Sequence, residues 1–224
     1  MGRQFENHHE AEVPATPEQV WAAIATGPGV SSWFVGRTEI DGDTVRTSFG
    51  DGFMPAGTVT AAEEPHRFAY RSDTAEDGRF VAYEYLIEGR HRAGTVLRTV
   101  TSGFLPGDDW ADEFEAMGYG TELFFHTLTE YLRFFPGRVA TPVTAFGPPV
   151  ADWSLTWEKL EAARPFPDGV VFFRNPHSLA VRTPDGLYRF IRGFHGAMVA
   201  DHALFSPDTD ATARWQDFLK GISR

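Results

Sequence analysis

The sequence predicts an α+β protein built on antiparallel sheet. Three observations point there. Residues 36–104 are cut by turn signals into strand-length pieces, as in a meander. A long helical stripe follows them, from Trp110 to Tyr131. A second run of short strands and a closing helix then fills 152–224. The 224 residues allow one large domain, or one with a partial second. At 42% hydrophobic and 14% aromatic, with 20 Phe, the chain can enclose a bulky core and is not a disordered one. With no cysteine it carries neither a disulfide framework, a thiolate metal site nor a cysteine nucleophile. A formal charge of −11 argues against partners that need a basic face, namely nucleic acid and anionic membrane.

Residues 3–13 alternate loosely and stop at Val13-Pro14, a first strand. Thr16-Pro17-Glu18-Gln19 then reads as a helix start, with Thr16 as cap, Pro17 at the first position and Gln19 closing a capping box. Val20, Trp21, Ile24 and Ala25 recur at helical spacing, Gly27-Pro28-Gly29 is a stop, and Val30 to Phe34 fits a second short helix. In the meander, turns fall at Asp41-Gly42, Gly50-Asp51-Gly52, Glu64-Pro65, Asp77-Gly78 and around Gly89 to Gly94. Period-two alternation puts Val81, Tyr83, Tyr85 and Ile87 on one face, with Phe68 and Tyr70, and Leu97, Thr99 and Thr101, doing the same in their strands. That face is assigned inward, because Glu84 and Glu88 on the other would be desolvated there without a partner. Phe80 and Leu86 on the outer face then call for cover, which the C-terminal part or a second subunit would supply.

Asp108-Asp109 and the acids after them suit the positive end of a helix dipole. Trp110, Phe114, Met117, Thr121, Phe124, Leu128 and Tyr131 form that helix's stripe, and Pro136-Gly137 ends it. Gly118 and Gly120 inside it mark a kink or a close approach to the backbone. The Pro- and Gly-rich 138–151 reads as a linker. A helix at 153–163, strands near 169–174, 178–183, 187–193 and 197–205, and a last helix at 207–222 capped by Asp208 follow. The domains read as 1–137, the linker 138–151, and an α+β extension, 152–224, packed on the first domain. Helix, strands and closing helix occur in both parts, which fits a degenerate repeat and equally the common grammar of α+β domains.

The opening Val13-Pro14-Ala15-Thr16-Pro17-Glu18-Gln19-Val20-Trp21, the Ser32-Trp33-Phe34 after the helix pair, and Gly94-Thr95 with Thr101-Ser102-Gly103-Phe104 resemble the START-like (SRPBCC) superfamily. Within it they are most similar to homologues of the activator of heat-shock-protein-90 ATPase, relatives of the polyketide cyclases. The resemblance covers about residues 3–136; the remainder is similar to an extension found in some actinobacterial members. It implies a helix-grip fold, in which the sheet wraps a long C-terminal helix and leaves a cavity between them. Relatives bind lipids, sterols, polyketides and other apolar molecules, and a minority are enzymes. Two departures stand out. Thr121, after Gly120, and Ser72 occupy positions where the family places tryptophan. Either the cavity is larger than usual or the C-terminal part supplies the bulk.

The expected cavity lining is Trp33, Phe68, Tyr70, Tyr83, Tyr85, Thr99, Thr101, Phe114, Met117 and Phe124. The same residues also make sense as a filled core, the tyrosine hydroxyls satisfied internally. The leading function is non-catalytic binding of an apolar or amphipathic small molecule. A cyclase- or hydrolase-like enzyme is the alternative, with Tyr83, Tyr85 and Arg79 as its proton-moving candidates. A chaperone-associated regulator is a further alternative, weakened by the shortness of the segment before the first strand. The eight histidines do not converge, so no metal is expected, and no cofactor fingerprint occurs. With neither a leader-like apolar segment nor an 18-residue apolar run, a cytoplasmic protein is expected, and a homodimer is left open.

Overall fold

The computed structural model describes residues 2–90, 94–106, 110–193 and 196–223, with the side chains of 90 and 110–114 also left aside. The turn centred on 91–93, the Asp108 helix start and Phe194-His195 therefore lie outside the described residues.

Strand β1 (Arg3–Val13) leads into α1 (Pro17–Ala25) through the expected capping box. Thr16 Oγ1 accepts from the Gln19 amide at 3.3 Å, and Gln19 Oε1 accepts from the Thr16 amide at 2.9 Å. Gly27-Pro28-Gly29 does not merely stop this helix. It opens the next one, α2 (Gly27–Val30), while 31–34 form a turn rather than the expected helix. Thr26 caps α2 by accepting from the Gly29 amide at 3.1 Å. A Cβ on Gly29 would lie 1.9 Å from the Ala22 carbonyl oxygen, so glycine is what lets the two helices meet.

The meander β2 (Arg37–Asp41), β3 (Thr44–Phe49), β4 (Gly52–Phe53), β5 (Gly57–Glu63), β6 (Arg67–Ser72), β7 (Phe80–Arg90) and β8 (Gly94–Leu105) forms one sheet with β1, in the order β1-β8-β7-β6-β5-β3-β2 with β4 on β3. Helix α3 (Trp110–Phe134) lies across it, against β1 and β8. The register has the sign that the glutamates require. Tyr85 and Ile87 are buried, whereas Glu84 lies on the other face, where its carboxylate meets Arg67 Nε at 2.7 Å. Phe80 on that outer face is covered by the Arg71 guanidinium, 3.9 Å from its centroid.

Two expectations in the second half are corrected. Residues 141–149 are not a linker but strand β9 (Thr141–Pro149), paired antiparallel with β13 (Ala197–Leu204). Their prolines are tolerated because β9 is an edge strand, where a missing N–H breaks no ladder. The last helix, α5, begins at Ala211 (Ala211–Ile222), and Asp208 is not its cap: its carboxylate engages Arg214 and the Asp210 amide instead. Helix α4 (Trp153–Ala163) and strands β10 (Val170–Asn175), β11 (Ser178–Thr183) and β12 (Gly186–Arg192) complete a five-stranded sheet, β10-β11-β12-β13-β9.

This second sheet is buried on both faces. Tyr188, Phe190, Leu179, Val181 and Leu204 face α4 and α5 around Trp215 and Leu219. Leu187 and Ala203 join the core of the first unit, and Phe173 and Ala180 enclose Leu123 of α3. Helix α3 therefore packs between two sheets, β1 and β8 on one side, β10 and β11 on the other. No atom lies within 4 Å of a Cβ built on Gly118 or Gly120, so those glycines do not serve a close approach.

Candidate functional site

The inward face of the first sheet carries two cross-strand rows, Tyr70–Tyr83–Thr101–Asn7 and Phe68–Tyr85–Thr99–His9. The rings on it interlock. Tyr70 stacks on Tyr83 at 4.9 Å, and Phe34 meets Tyr83 edge-on at 6.1 Å and Phe124 of α3 at 4.7 Å. Trp33 abuts Tyr85 at 6.3 Å, and its indole N–H donates to the Ala23 carbonyl at 2.9 Å, so its polar atom is spent on the fold. Thr99 and Thr101 are buried beside these rings. Met117 is half-buried on α3, outside the cluster that holds the other side chains. Phe114 lies in α3, but its side chain is outside the described residues.

Where these rings stop filling the interior, a cleft of about 50 Å³ remains among Phe34, Met54, Tyr70, Ser72, Val81 and Tyr83. Of the nine expected lining residues whose side chains are described, only Tyr70 and Tyr83 reach it. Ser72, a small side chain, borders the opening, and its Oγ accepts the Val81 amide at 3.0 Å. Phe34 was visible in sequence only as the partner of Trp33. Met54 follows a turn and has no periodicity to mark it.

The cleft's titratable groups are the Tyr70 and Tyr83 phenols, and Tyr85 lies beside them on the next row. The Tyr70 and Tyr85 hydroxyls share a hydrogen bond. Burial raises all three tyrosines, Tyr83 to about 12, and holds Tyr70 and Tyr85 well above the usual phenol range. As whole residues Tyr70 and Tyr83 are only half-buried, because each presents part of its ring to the cleft, whereas the desolvation acts at the hydroxyl. Arg79 is absent from this group: it is exposed on the β6–β7 turn, its Nε 3.6 Å from Asp77. Among the described residues no group of His, Asp or Glu is placed to hold a metal ion.

A roomier groove, about 300 Å³, lies on the second unit beside Trp157, Arg174 and Asn175. Its polar groups are already spent. Arg174 pairs with Glu161, and Asn175 Nδ2 donates to the Tyr119 carbonyl at 3.3 Å and to Glu122 at 3.4 Å. The smaller cleft is the better candidate, because its walls are the inward face of the first sheet and the Phe34 turn.

Beside the cleft lies a feature that sequence reasoning missed. Arg189 of β12 and Asp201 of β13 are wholly buried, with Arg189 Nη2 2.7 Å from Asp201 Oδ2. The angle there falls short of a hydrogen bond, so Oδ2 is held by charge alone. The guanidinium donates to the carbonyls of Trp33 and Phe34 and to that of Asp201, while Asp201 Oδ1 accepts from the Gly36 amide and from Thr144. Arg189 and Asp201 are direct cross-strand partners. Counting back from the β12–β13 turn would have paired the two charges.

A family model described as polyketide cyclase / dehydrase and lipid transport matches residues 4–129. No curated protein matches the chain. Among solved structures, the Aha1 dimer from Colwellia psychrerythraea is similar at 18% identity and TM-score 0.48, over 59% of this chain and 99% of its own. Protein MLL2253 from Mesorhizobium loti is similar at 22% identity and TM-score 0.47, over 57% and 96%. A point mutant of norcoclaurine synthase from Thalictrum flavum, in complex with a transition-state analogue, is similar at 14% identity and TM-score 0.43, over 59% and 96%. The family match spans more than half of the chain, and the chain belongs to the START-like (SRPBCC) family of polyketide cyclases, dehydrases and lipid-transport proteins.

Proposed function

We propose that this protein binds a small apolar or amphipathic molecule, without catalysis, at the cleft between Phe34, Tyr70 and Tyr83. The observation that carries the reading is the cleft itself: the Phe34, Tyr70 and Tyr83 rings on its wall and, at Ser72, a small side chain where the resemblance implies tryptophan. Its volume, about 50 Å³, is well below the ~300 Å³ at which ordinary ligand sites begin, so this is the closed form of the site. A larger ligand enters by displacing Met54, an adaptable side chain at the mouth. The enzyme alternative draws less support, because a tyrosine at about 12 is a poor proton donor at neutral pH and Arg79 lies elsewhere. The chaperone-associated reading draws on nothing in this cleft.

A cytoplasmic setting and a homodimer belong to the same proposal. The first is compatible with the described residues, which include no helix long and apolar enough to cross a membrane. The second draws on Phe53, an exposed apolar ring at 77%.

The test is titration of the purified protein with cis-parinaric acid and with 1-anilinonaphthalene-8-sulfonate, in parallel with Ser72→Trp. Micromolar binding of either probe that falls at least tenfold in Ser72→Trp supports the site. Binding that ignores this substitution, or none at all, refutes it.

A further inference from the structure

We propose that Arg189, far from the cleft in sequence and on the second sheet, is the positioning residue that sets the cleft's width. This rests on the cleft being the binding site. Five of the cleft's six principal side chains stand on or beside the first sheet. The sixth, Phe34, stands on the 31–36 turn, and that turn is gripped from the second sheet. Arg189 Nη1 donates to the Trp33 carbonyl and Nη2 to the Phe34 carbonyl, the latter at 3.2 Å. Its Asp201 partner accepts from the Gly36 amide at 3.2 Å, so three residues of four are held by one ion pair. The guanidinium also lies 5.3 Å from the centroid of Phe124, the α3 ring against which Phe34 rests at 4.7 Å.

The turn has a pivot. Gly36 has φ +61, and a Cβ there would lie 2.0 Å from the Ser48 carbonyl oxygen, so only glycine fits. On its other side Trp33 is anchored by its indole to Ala23. Between these fixed points Phe34 is tied on one side by its amide, which donates to the Val30 carbonyl at 2.9 Å, and on the other by the carbonyl that Arg189 takes. A guanidinium can serve two carbonyls and a carboxylate at once because its donors are splayed in a plane; an ammonium at that distance serves fewer. Arg189 thus holds the Phe34 ring against Tyr83 and keeps the cleft closed. The second unit controls access for apolar ligands larger than a few carbons.

Arg189→Lys keeps the charge beside Asp201 but loses the fork. Arg189→Met/Asp201→Leu removes both charges together, so no lone charge stays buried. The control is Arg182→Met/Glu130→Leu, which removes an ion pair of 2.7 Å between the second sheet and α3 without touching the turn. Two quantities are read on the full chain: amide hydrogen exchange of residues 30–37 against residues 96–101, and affinity for cis-parinaric acid. The expected result is exchange at least tenfold faster in 30–37 alone, and tenfold tighter probe binding, in Arg189→Lys and in the double variant but not in the control. Unchanged exchange in 30–37, or equal loosening in the control, overturns the proposal; failure of either test variant to fold leaves the other to decide, and failure of both overturns it, since the pair would then hold the whole fold and not the turn. Faster exchange with no probe bound by any of the proteins upholds Arg189's grip on the turn and refutes the binding reading instead.

Discussion

His202 shares the interior with the Arg189–Asp201 pair but faces the other side of its strand. Its Nδ1 accepts the Arg189 backbone N–H at 3.2 Å, and its Nε2 is buried without a partner. Burial lowers its pKa from 6.5 to about 3, so the folded protein keeps it neutral. Below 6.5 the unfolded chain takes up a proton that the fold refuses, so the stability present above 6.5 is lost as the pH falls toward 3. His9, His126 and His177 are lowered by burial too and push in the same direction. The melting temperature should therefore fall steadily between pH 7 and 5, before most carboxylates titrate. His202→Gln, destabilised at pH 7 by its changed shape, should show a shallower slope, and an equally steep one would assign the effect to the other histidines. At this scale the sequence was legible where a side chain's role is local. The Thr16–Gln19 reciprocal cap is a four-residue pattern, and it is present as written. Arg189 was not legible, because an arginine in an alternating strand normally faces water, and only the arrival of a second buried face makes it an interior residue.

The elements were legible wherever one face is buried and the other is wet. Strand β7 is the clearest case: its period of two and its glutamates fix the register without any knowledge of its neighbours. Strand β9 was hidden because Pro142, Gly147, Pro148 and Pro149 are turn residues by composition, yet an edge strand needs hydrogen bonds on one side only, and Val143 and Ala145 still reach the core. Helix α2 starts earlier than the sequence predicts because glycine and proline read as punctuation, whereas the close approach to Ala22 makes glycine the residue that permits the helix. The spacing in helix α3 predicts one stripe, and the helix has two buried sides. The second is held by Leu123, fully buried with Phe173 and Ala180, and by His126, whose ring stacks on Phe173 at 4.8 Å. Leu123→Ala is therefore expected to cost about 2–5 kcal/mol, measured by urea denaturation, although in a helix packed on one sheet alone the position would tolerate alanine. Thr16→Ala, which removes the cap but no core contact, should cost only about 1 kcal/mol.

The two units of the molecule share a connectivity. In each a first strand precedes helix, an antiparallel meander follows, and the meander's last strand returns to pair with that first one before a closing helix: β1 with β8 ahead of α3, β9 with β13 ahead of α5. The order of elements suggested this much, but the use made of the second copy could not be read from order alone. Its sheet lies on α3, on the side away from the first sheet, and supplies charge and rings there. Phe205 stacks on Phe135 at 4.2 Å and on Tyr131 at 6.0 Å, and Arg182 meets Glu130 at 2.7 Å. Cutting the chain after Arg138 would expose Leu123 and Phe135 and leave the Trp33 and Phe34 carbonyls without their donor. Large side chains lose about 1.5–3 kcal/mol each when returned to water, and a domain's whole margin is about 5–15 kcal/mol, so a handful of such losses consumes it. The 1–138 fragment is expected to aggregate, or to melt well below the full chain, in size-exclusion chromatography and thermal denaturation. A monomeric fragment with the full chain's melting temperature would mean that α3 needs only one sheet, and that the second unit is an appendage with no hold on the cleft.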